Sequence, residues 1–155
     1  MSFNIIIDTR EQQPWVFAKS DIVDHTIVRK LDTGDYTIDG FEDLICIERK
    51  KSVAELASNI VEKRFTDELI RMSEFKYKFL LLEFDYYQID SYPIGSNIPL
   101  SVQRKIRING PFIIKKLSEI QIKYGVHVIT CGNVLYAENI ALSLMKEIYG
   151  FESRR

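Results

Sequence analysis

The sequence has few residues that could join the chain through covalent or metal cross-links. Its two cysteines, Cys46 and Cys131, are far apart, its two histidines stand alone, and it has no CxxC pair. This pattern argues against a disulfide framework and against a zinc site, which needs several donors together. We therefore expect reduced thiols in a cytosol-like compartment.

Long apolar runs and an excess of one charge are also missing. The longest apolar candidates, Ile5–Ile7 and Phe79–Leu82, are far shorter than the ~20 residues that cross a bilayer. The first residues lack the basic start and apolar stretch of a signal peptide. With 21 Lys+Arg against 22 Asp+Glu, the chain cannot attract a nucleic acid by its net charge of −1. Any polyanion has to be bound by a local arrangement of side chains.

Hydrophobic residues make up 46% of the 155 residues, enough for one domain that buries about two-thirds of its unfolded surface. Their spacing predicts strands at Phe3–Ile7, His25–Lys30, Tyr36–Ile38, Leu44–Lys50, Phe79–Phe84 and Val126–Thr130. It predicts helices after Ser52, at Thr66–Phe75, Ser101–Ile108 and Pro111–Lys123, and between Asn133 and Gly150, with loops at Gln12–Asp24 and Tyr86–Leu100. Because an early hairpin-like meander is followed by strands that alternate with helices, we expect a layered α/β domain.

The predicted strand Leu44–Lys50 carries a pattern of charges that indicates chemistry. Side chains alternate along a strand, so Glu48 and Lys50 point the same way, about 7 Å apart, with Ile45 and Ile47 on the opposite, buried face. Asp35 begins another strand directly after Gly34, which permits a tight turn. This D…ExK arrangement is typical of a metal-dependent phosphodiesterase, in which two carboxylates hold Mg²⁺ or Mn²⁺. The alternative is a solvated strand end with a cross-strand ion pair.

The end of the first predicted strand adds further charged groups. Asp8, Arg10 and Glu11 follow the apolar run Phe3–Ile7, at the carboxyl end where α/β sheets place their sites. Several acids in one cleft would repel one another, and a divalent cation would relieve that repulsion. The pattern therefore favours a shared cation site.

Three ordered motifs resemble those of the XPF-type nuclease domain. Ile5–Glu11 matches its DxRE segment, Thr33–Tyr36 its GDY turn and Ile47–Lys50 its ERKxxxD box. The resemblance continues through Lys63-Arg64-Phe65 and Leu80–Asp85 and, more faintly, through the last helix. The resemblance covers almost the whole chain. The sequence is most similar to the compact form of the domain found in bacteria and their phages.

This resemblance implies a restriction-endonuclease-like fold, with a central mixed sheet flanked by helices. We expect residues 1–155 to form a single nuclease domain without the helix-hairpin-helix module that often follows it. The family implies a divalent-metal-dependent endonuclease that cuts branched, flapped or forked DNA. It also implies a homodimer or a partner protein.

The resemblance also implies roles for individual residues. Asp35 and Glu48, with Asp8 nearby, would hold the metal, and Lys50 would be catalytic. Arg10, Arg49 and Arg64 would position the phosphate. Glu11 would belong to the catalytic set. The full set of predicted site residues is Asp8, Arg10, Glu11, Asp35, Glu48, Arg49, Lys50 and Arg64.

Two of the motif positions have a second interpretation. Strand alternation places Arg49 on the face opposite Glu48 and Lys50, where it could brace a helix or pair with an acid behind the sheet. The acid that ends the ERK box is Glu55, one residue later than in the family. With Ser52 it fits a helix capping box, so it is either a cap or a site residue.

The sequence is also compatible with two other functions, and the role of three tyrosines has two interpretations. A catalytically silent DNA-binding or scaffolding subunit would share the fold, although this chain keeps the acids that silent members lose. A nuclease acting on DNA ends or on RNA would share the chemistry. Tyr86, Tyr87 and Tyr92 either stack on splayed bases or pack locally.

Overall fold

A computed structural model describes residues 1–18 and 20–155 of the chain. Over these residues the chain forms six strands and six helices. Their bounds are β1 Phe3–Ile7, β2 Val23–Val28, β3 Tyr36–Ile38, β4 Ile45–Lys50, α1 Val53–Asn59, α2 Lys63–Met72, β5 Tyr77–Leu82, α3 Tyr86–Ser91, α4 Leu100–Gln103, α5 Gly110–Tyr124, β6 His127–Thr130 and α6 Val134–Ser153.

The strands form one mixed sheet in the order β2-β1-β3-β4-β5-β6. The β3 strand is antiparallel to both β1 and β4, whereas β4, β5 and β6 are parallel to one another. A six-stranded mixed sheet with helices on both faces confirms the predicted α/β class.

The predicted hairpin-like meander was wrong for β2. This strand pairs in parallel with β1 at the edge of the sheet, so β1 lies between β2 and β3. The reason is burial: β1 is almost completely buried and needs partners on both sides, whereas most residues of β2 are exposed. An apolar strand takes the interior position, and the polar strand takes the edge.

Side chains that alternate along β4 and β5 divide the core into two layers. On one face, here called the front, Cys46, Leu80 and Leu82 pack against α1, α2, α3 and α5. On the other, the back, Ile45, Ile47, Phe79 and Leu81 pack against α6 and the Trp15–Phe17 segment. The apolar strand β5 is therefore covered on both faces.

Several helices differ from their predicted bounds. The α3 helix occupies the start of the predicted loop Tyr86–Leu100, because Asp85 and Gln88 form a reciprocal capping box. The Ser101–Ile108 prediction reduces to the short helix α4. The last helix continues beyond Gly150 to Ser153. Within the part of the chain that the structure describes, none of the helices is long and apolar enough to span a membrane.

Candidate active site

The ends of β1, β3 and β4 bring three separate stretches of sequence together on the front of the sheet. Backbone N–H groups link them in a row, because Asp8 donates to the Asp35 carbonyl at 2.9 Å and Asp35 donates to the Ile47 carbonyl at 2.8 Å. Strand alternation then places Asp8, Asp35, Glu48 and Lys50 on the same face, as the sequence predicted.

These side chains line one cavity of about 490 Å³ between the sheet and the helices α1 and α2. Acidic groups outnumber basic ones along its wall. The acids are Asp8, Asp32, Asp35, Glu48, Glu55, Glu62 and Glu68, and the bases are Arg10, Lys50, Arg64 and Arg71. A cavity with this balance attracts cations, and the four bases give an anionic ligand places to bind.

The turn before β3 requires glycine. Gly34 has a φ of 84°, and a Cβ atom there would lie 2.6 Å from the Cys46 sulfur. A larger residue would therefore be strained and would displace the adjoining strand. The tight turn lets Asp35 enter the cavity beside β4, which explains the GDY motif physically.

The pKa values of Asp35 and Glu48 are raised by their surroundings. Burial, followed by the charge of Glu11, raises the pKa of Asp35 to about 7, although the Arg49 backbone N–H donates to its carboxylate at 2.9 Å. Burial, and then the charges of Asp35 and Glu68, raise the pKa of Glu48 well above its usual value. For both acids, burial and the neighbouring carboxylates thus disfavour the charged form more than Lys50 favours it.

Lys50 supplies the nearest cation. It is buried on the front, with Nζ 3.4 Å from a Glu48 oxygen and 4.0 Å from a Glu55 oxygen, and it lies over the Phe65 ring at 4.9 Å. Ser52 accepts a hydrogen bond from the Glu55 N–H and begins α1, as predicted. The Glu55 carboxylate lines the cavity, so its backbone serves the cap and its side chain faces the site.

Asp8 is held in the cavity wall by hydrogen bonds. One oxygen accepts from Arg10 Nε at 2.8 Å and the other from the Leu31 N–H at 2.8 Å. Burial would raise the pKa of Asp8, but these hydrogen bonds and the Arg10 charge outweigh it and lower the pKa. Arg10 also donates to the Leu31 carbonyl at 2.9 Å and reaches the cavity from the rim.

Arg49 and Glu11 lie on the back of the sheet and do not line the cavity. The Arg49 guanidinium is 3.1 Å from Glu11, 3.3 Å from Glu83 and 2.9 Å from the Tyr36 hydroxyl, which in turn donates to Glu11 at 2.7 Å. Trp15 donates to Glu83 at 2.8 Å and stacks on Tyr36. Of the interpretations of Arg49, the structure thus shows the pairing with acids behind the sheet, and its role in positioning the phosphate stays a prediction.

Sequence reasoning missed Glu68. In α2, Arg64, Glu68 and Arg71 follow one another at i, i+4 and i+7, so they share the face that lines the cavity. The signal was present in that spacing, but the predicted helix began at Thr66, three residues late. Arg64, which the resemblance predicted as a site residue, therefore lines the cavity together with Glu68 and Arg71 of the same helix.

Two carboxylates of the site suit a divalent cation. Within residues 1–18 and 20–155, no group of three or more His, Cys, Asp or Glu side chains is arranged to hold a metal ion. Mg²⁺ requires less from a protein, because it keeps several waters and binds one or two carboxylates. Asp35 and Glu48 offer hard oxygen donors, and a bound cation would favour their charged forms, which burial and nearby carboxylates disfavour. The donor set therefore fits Mg²⁺ or Mn²⁺.

Comparisons with known proteins agree with this geometry. The family model described as the ERCC4 domain matches residues 7–140. The chain belongs to this family, and its domain is of the XPF nuclease type, as the motifs predicted. A comparison with curated proteins finds no match.

Solved structures show the same fold. The chain is similar to XPF from Aeropyrum pernix, with 20% identity and a TM-score of 0.65. It is also similar to XPF from Aeropyrum pernix in complex with DNA, with 19% identity and a TM-score of 0.64. Each match covers 98% of this chain and 66% of the solved chain.

Proposed function

We propose that the protein is a divalent-metal-dependent DNA endonuclease that hydrolyses phosphodiester bonds in branched, flapped or forked DNA. The observation that carries this proposal is the meeting of Asp35, Glu48 and Lys50 in one acid-rich cavity. Membership of the ERCC4 domain family supports the same chemistry.

Asp35 and Glu48 would hold Mg²⁺ or Mn²⁺, with Asp8 beside them. The bound cation would supply Lewis acidity at the scissile phosphodiester. Asp8 keeps its position because Arg10 and Leu31 hold both of its oxygens. Oδ2 accepts from both Nε and the backbone N–H of Arg10, whereas Oδ1 accepts only from Leu31 and retains a lone pair with which Asp8 can orient a water or contact a cation.

Lys50 would act on the phosphate and on the attacking water. Its ammonium projects from the buried end of β4 and has three donors, of which Glu48 uses one at 3.4 Å. The remaining donors can orient a water and balance the charge that develops on the phosphoryl oxygens. Glu55, 4.0 Å away, would help to keep the ammonium in place.

Arg64 and Arg10 would bind the DNA backbone at the rim of the cavity. Both side chains are exposed, and the Arg64 guanidinium lies 3.4 Å from Glu62. Local cations are needed because the net charge of −1 gives no general attraction. The solved relative bound to DNA supports DNA as the substrate. A homodimer or a partner protein would complete recognition of the branch.

A panel of DNA substrates tests the proposal. Purified protein with Mg²⁺ or Mn²⁺ is incubated with flap, fork, four-way junction, duplex and single-stranded DNA, beside the variants Asp35→Asn and Lys50→Ala. We expect cleavage of a branched substrate by the wild type and none by either variant, with unchanged circular dichroism. Undiminished cleavage by the variants would refute the assignment. DNA binding without cleavage by the wild type would favour a silent scaffolding subunit.

A further inference from the structure

A second groove, of about 520 Å³, lies beside the acidic cavity. Its walls come from the β4–α1 connection, the end of β5, the helix α3 and the segment that follows to Ile98. Its volume is in the range of small-molecule sites, which extend from about 300 to 1,000 Å³.

The groove and the acidic cavity lie on either side of one short piece of chain. Lys50 and Glu55 line the cavity, whereas Lys51 and the residues 52–54 between them line the groove. The start of α1 is therefore the boundary between the two, and consecutive residues, Lys50 and Lys51, face one site each.

An aromatic ring projects along the groove. Tyr87 lines it and is 77% exposed, and Ile94 is 73% exposed on the opposite segment. The capping box of Asp85 and Gln88 begins α3 and holds Tyr87 in the first turn of that helix. An ordered helix therefore presents an exposed aromatic ring, on which a flat ligand can stack.

Polar groups at the groove suit the other parts of a nucleotide. Lys51 lines the groove, and its ammonium donates to the Gln12 carbonyl at 2.8 Å, which leaves two of its donors for a ligand. Asn97, exposed on the far wall, offers both amide donors and an acceptor. A base has a flat face for Tyr87, polar edges for Asn97 and a linked phosphate for Lys51.

We propose that this groove binds an unpaired base of the DNA strand whose backbone occupies the acidic cavity. The inference rests on the proposed function and sharpens it, because it names the feature of the substrate that is recognised. A base inside a duplex is stacked on both faces and cannot lie on Tyr87. The enzyme would therefore favour DNA with an unpaired nucleotide beside the cleaved bond.

Binding measurements with matched variants test the groove. Tyr87→Ala removes the ring, and Tyr86→Ala removes a neighbouring tyrosine that is 58% exposed but does not line the groove. Both changes are made in Asp35→Asn protein, so that DNA stays intact. Stacking is worth about 1–3 kcal/mol per base, so we expect Tyr87→Ala to weaken binding to a fork by about 5- to 150-fold. Tyr86→Ala should change it less than twofold.

A base analogue locates the contact. With 2-aminopurine placed at successive unpaired positions of the fork, protein should change its fluorescence at one or two positions, and Tyr87→Ala should abolish that change. Replacing the same base by an abasic site should weaken binding to the wild-type surface but not to Tyr87→Ala. Equal behaviour of Tyr86→Ala and Tyr87→Ala, or identical binding of fork and duplex, would overturn the proposal.

Failure of the two proposals can be told apart. Absence of cleavage by wild-type protein, together with the Tyr87-dependent signal, would refute the endonuclease and leave the groove supported. Cleavage that depends on Lys50 but not on Tyr87, at equal rates on duplex and fork, would refute the groove and leave the endonuclease supported.

Discussion

At the end of β4, the two faces of the sheet differ in how closely cations approach their acidic side chains. On the back, Arg49 lies among Glu11, Glu83 and Tyr36, whose oxygens are all within 3.3 Å of its guanidinium. On the front, Glu48 faces Asp35 and Glu68 in the cavity, and Lys50 at 3.4 Å is its nearest cation.

The difference separates structure from function along three consecutive residues. On the back, Glu11 and Glu83 each lie within 3.3 Å of the Arg49 guanidinium, so this cluster holds the strand ends together. On the front, burial and nearby carboxylates raise the pKa values of Asp35 and Glu48, so keeping both acids charged costs stability in the absence of a cation. Natural proteins accept such local conflicts mainly where function requires them. The front is therefore the place for catalysis, and the back is its support.

Removing the cation from the back should have the largest effect. Arg49→Met leaves Glu11 and Glu83 buried without a partner, so we expect the free energy of unfolding to fall by about 3–5 kcal/mol. Urea unfolding measures it. Arg64→Met, which removes an exposed contact to Glu62, is the control and should change stability by less than about 0.5 kcal/mol. A similar small loss for both variants would contradict the comparison.

Removing an acid from the front should affect activity but not stability. We expect Glu48→Gln to lower the cleavage rate by at least ~10²-fold, while the metal-free protein at pH 7 unfolds no more readily than wild type. Saturating Mn²⁺ should raise the melting temperature of wild type by mass action but not that of Glu48→Gln. The exposed Glu147→Gln serves as the control. Destabilisation of the metal-free Glu48→Gln protein would show that this acid is structural.

The raised pKa of Asp35 predicts a pH dependence of stability. The native state keeps this proton up to about pH 7, whereas the unfolded chain loses it near 3.8. Between these values the native state binds more protons, so stability should fall as pH rises, by more than the ~1.4 kcal/mol that one pKa unit represents. Thermal melts of metal-free protein should show this decline, and Asp35→Asn should flatten it. A rise in stability over this window would contradict the interpretation.

The smallest expected effects concern the start of α1, where two variants should distinguish the helix cap made by Ser52 from a role of Glu55 in the active site. Ser52→Ala removes the side-chain cap of α1 and should cost about 1 kcal/mol of unfolding free energy with cleavage retained. Glu55→Gln keeps that cap and should change stability by less than about 0.5 kcal/mol, but it should slow cleavage because its carboxylate is 4.0 Å from Lys50. The reverse pattern would return Glu55 to a purely structural role.

Much of the site was predictable because strand periodicity is local. Alternation alone put Glu48 and Lys50 together and Arg49 behind them, and the structure agrees. Glu11 was harder, because it follows a strand end and its loop turns to the back of the sheet, where it meets Arg49. Its predicted catalytic role stays a prediction, and its position favours a supporting one.

Long-range packing explains what the patterns did not show. Nothing within β2 specifies that it pairs in parallel with β1 at the sheet edge. The face of α2 that carries Glu68 reaches the cavity because the neighbouring face, with Phe65, Leu69 and Met72, is buried in the core. A groove beside Tyr87 likewise depends on how α3 and the following segment pack.

The amino-acid sequence by itself determined the alternation of the site strand, the glycine turn before Asp35 and the start of α1, because each depends on neighbouring residues. The tertiary structure alone decided that Glu68 joins the acids, that Glu11 supports Arg49 and that a second groove opens beside Lys51. These features depend on which surfaces meet when the apolar faces are buried, and that is a property of the whole chain.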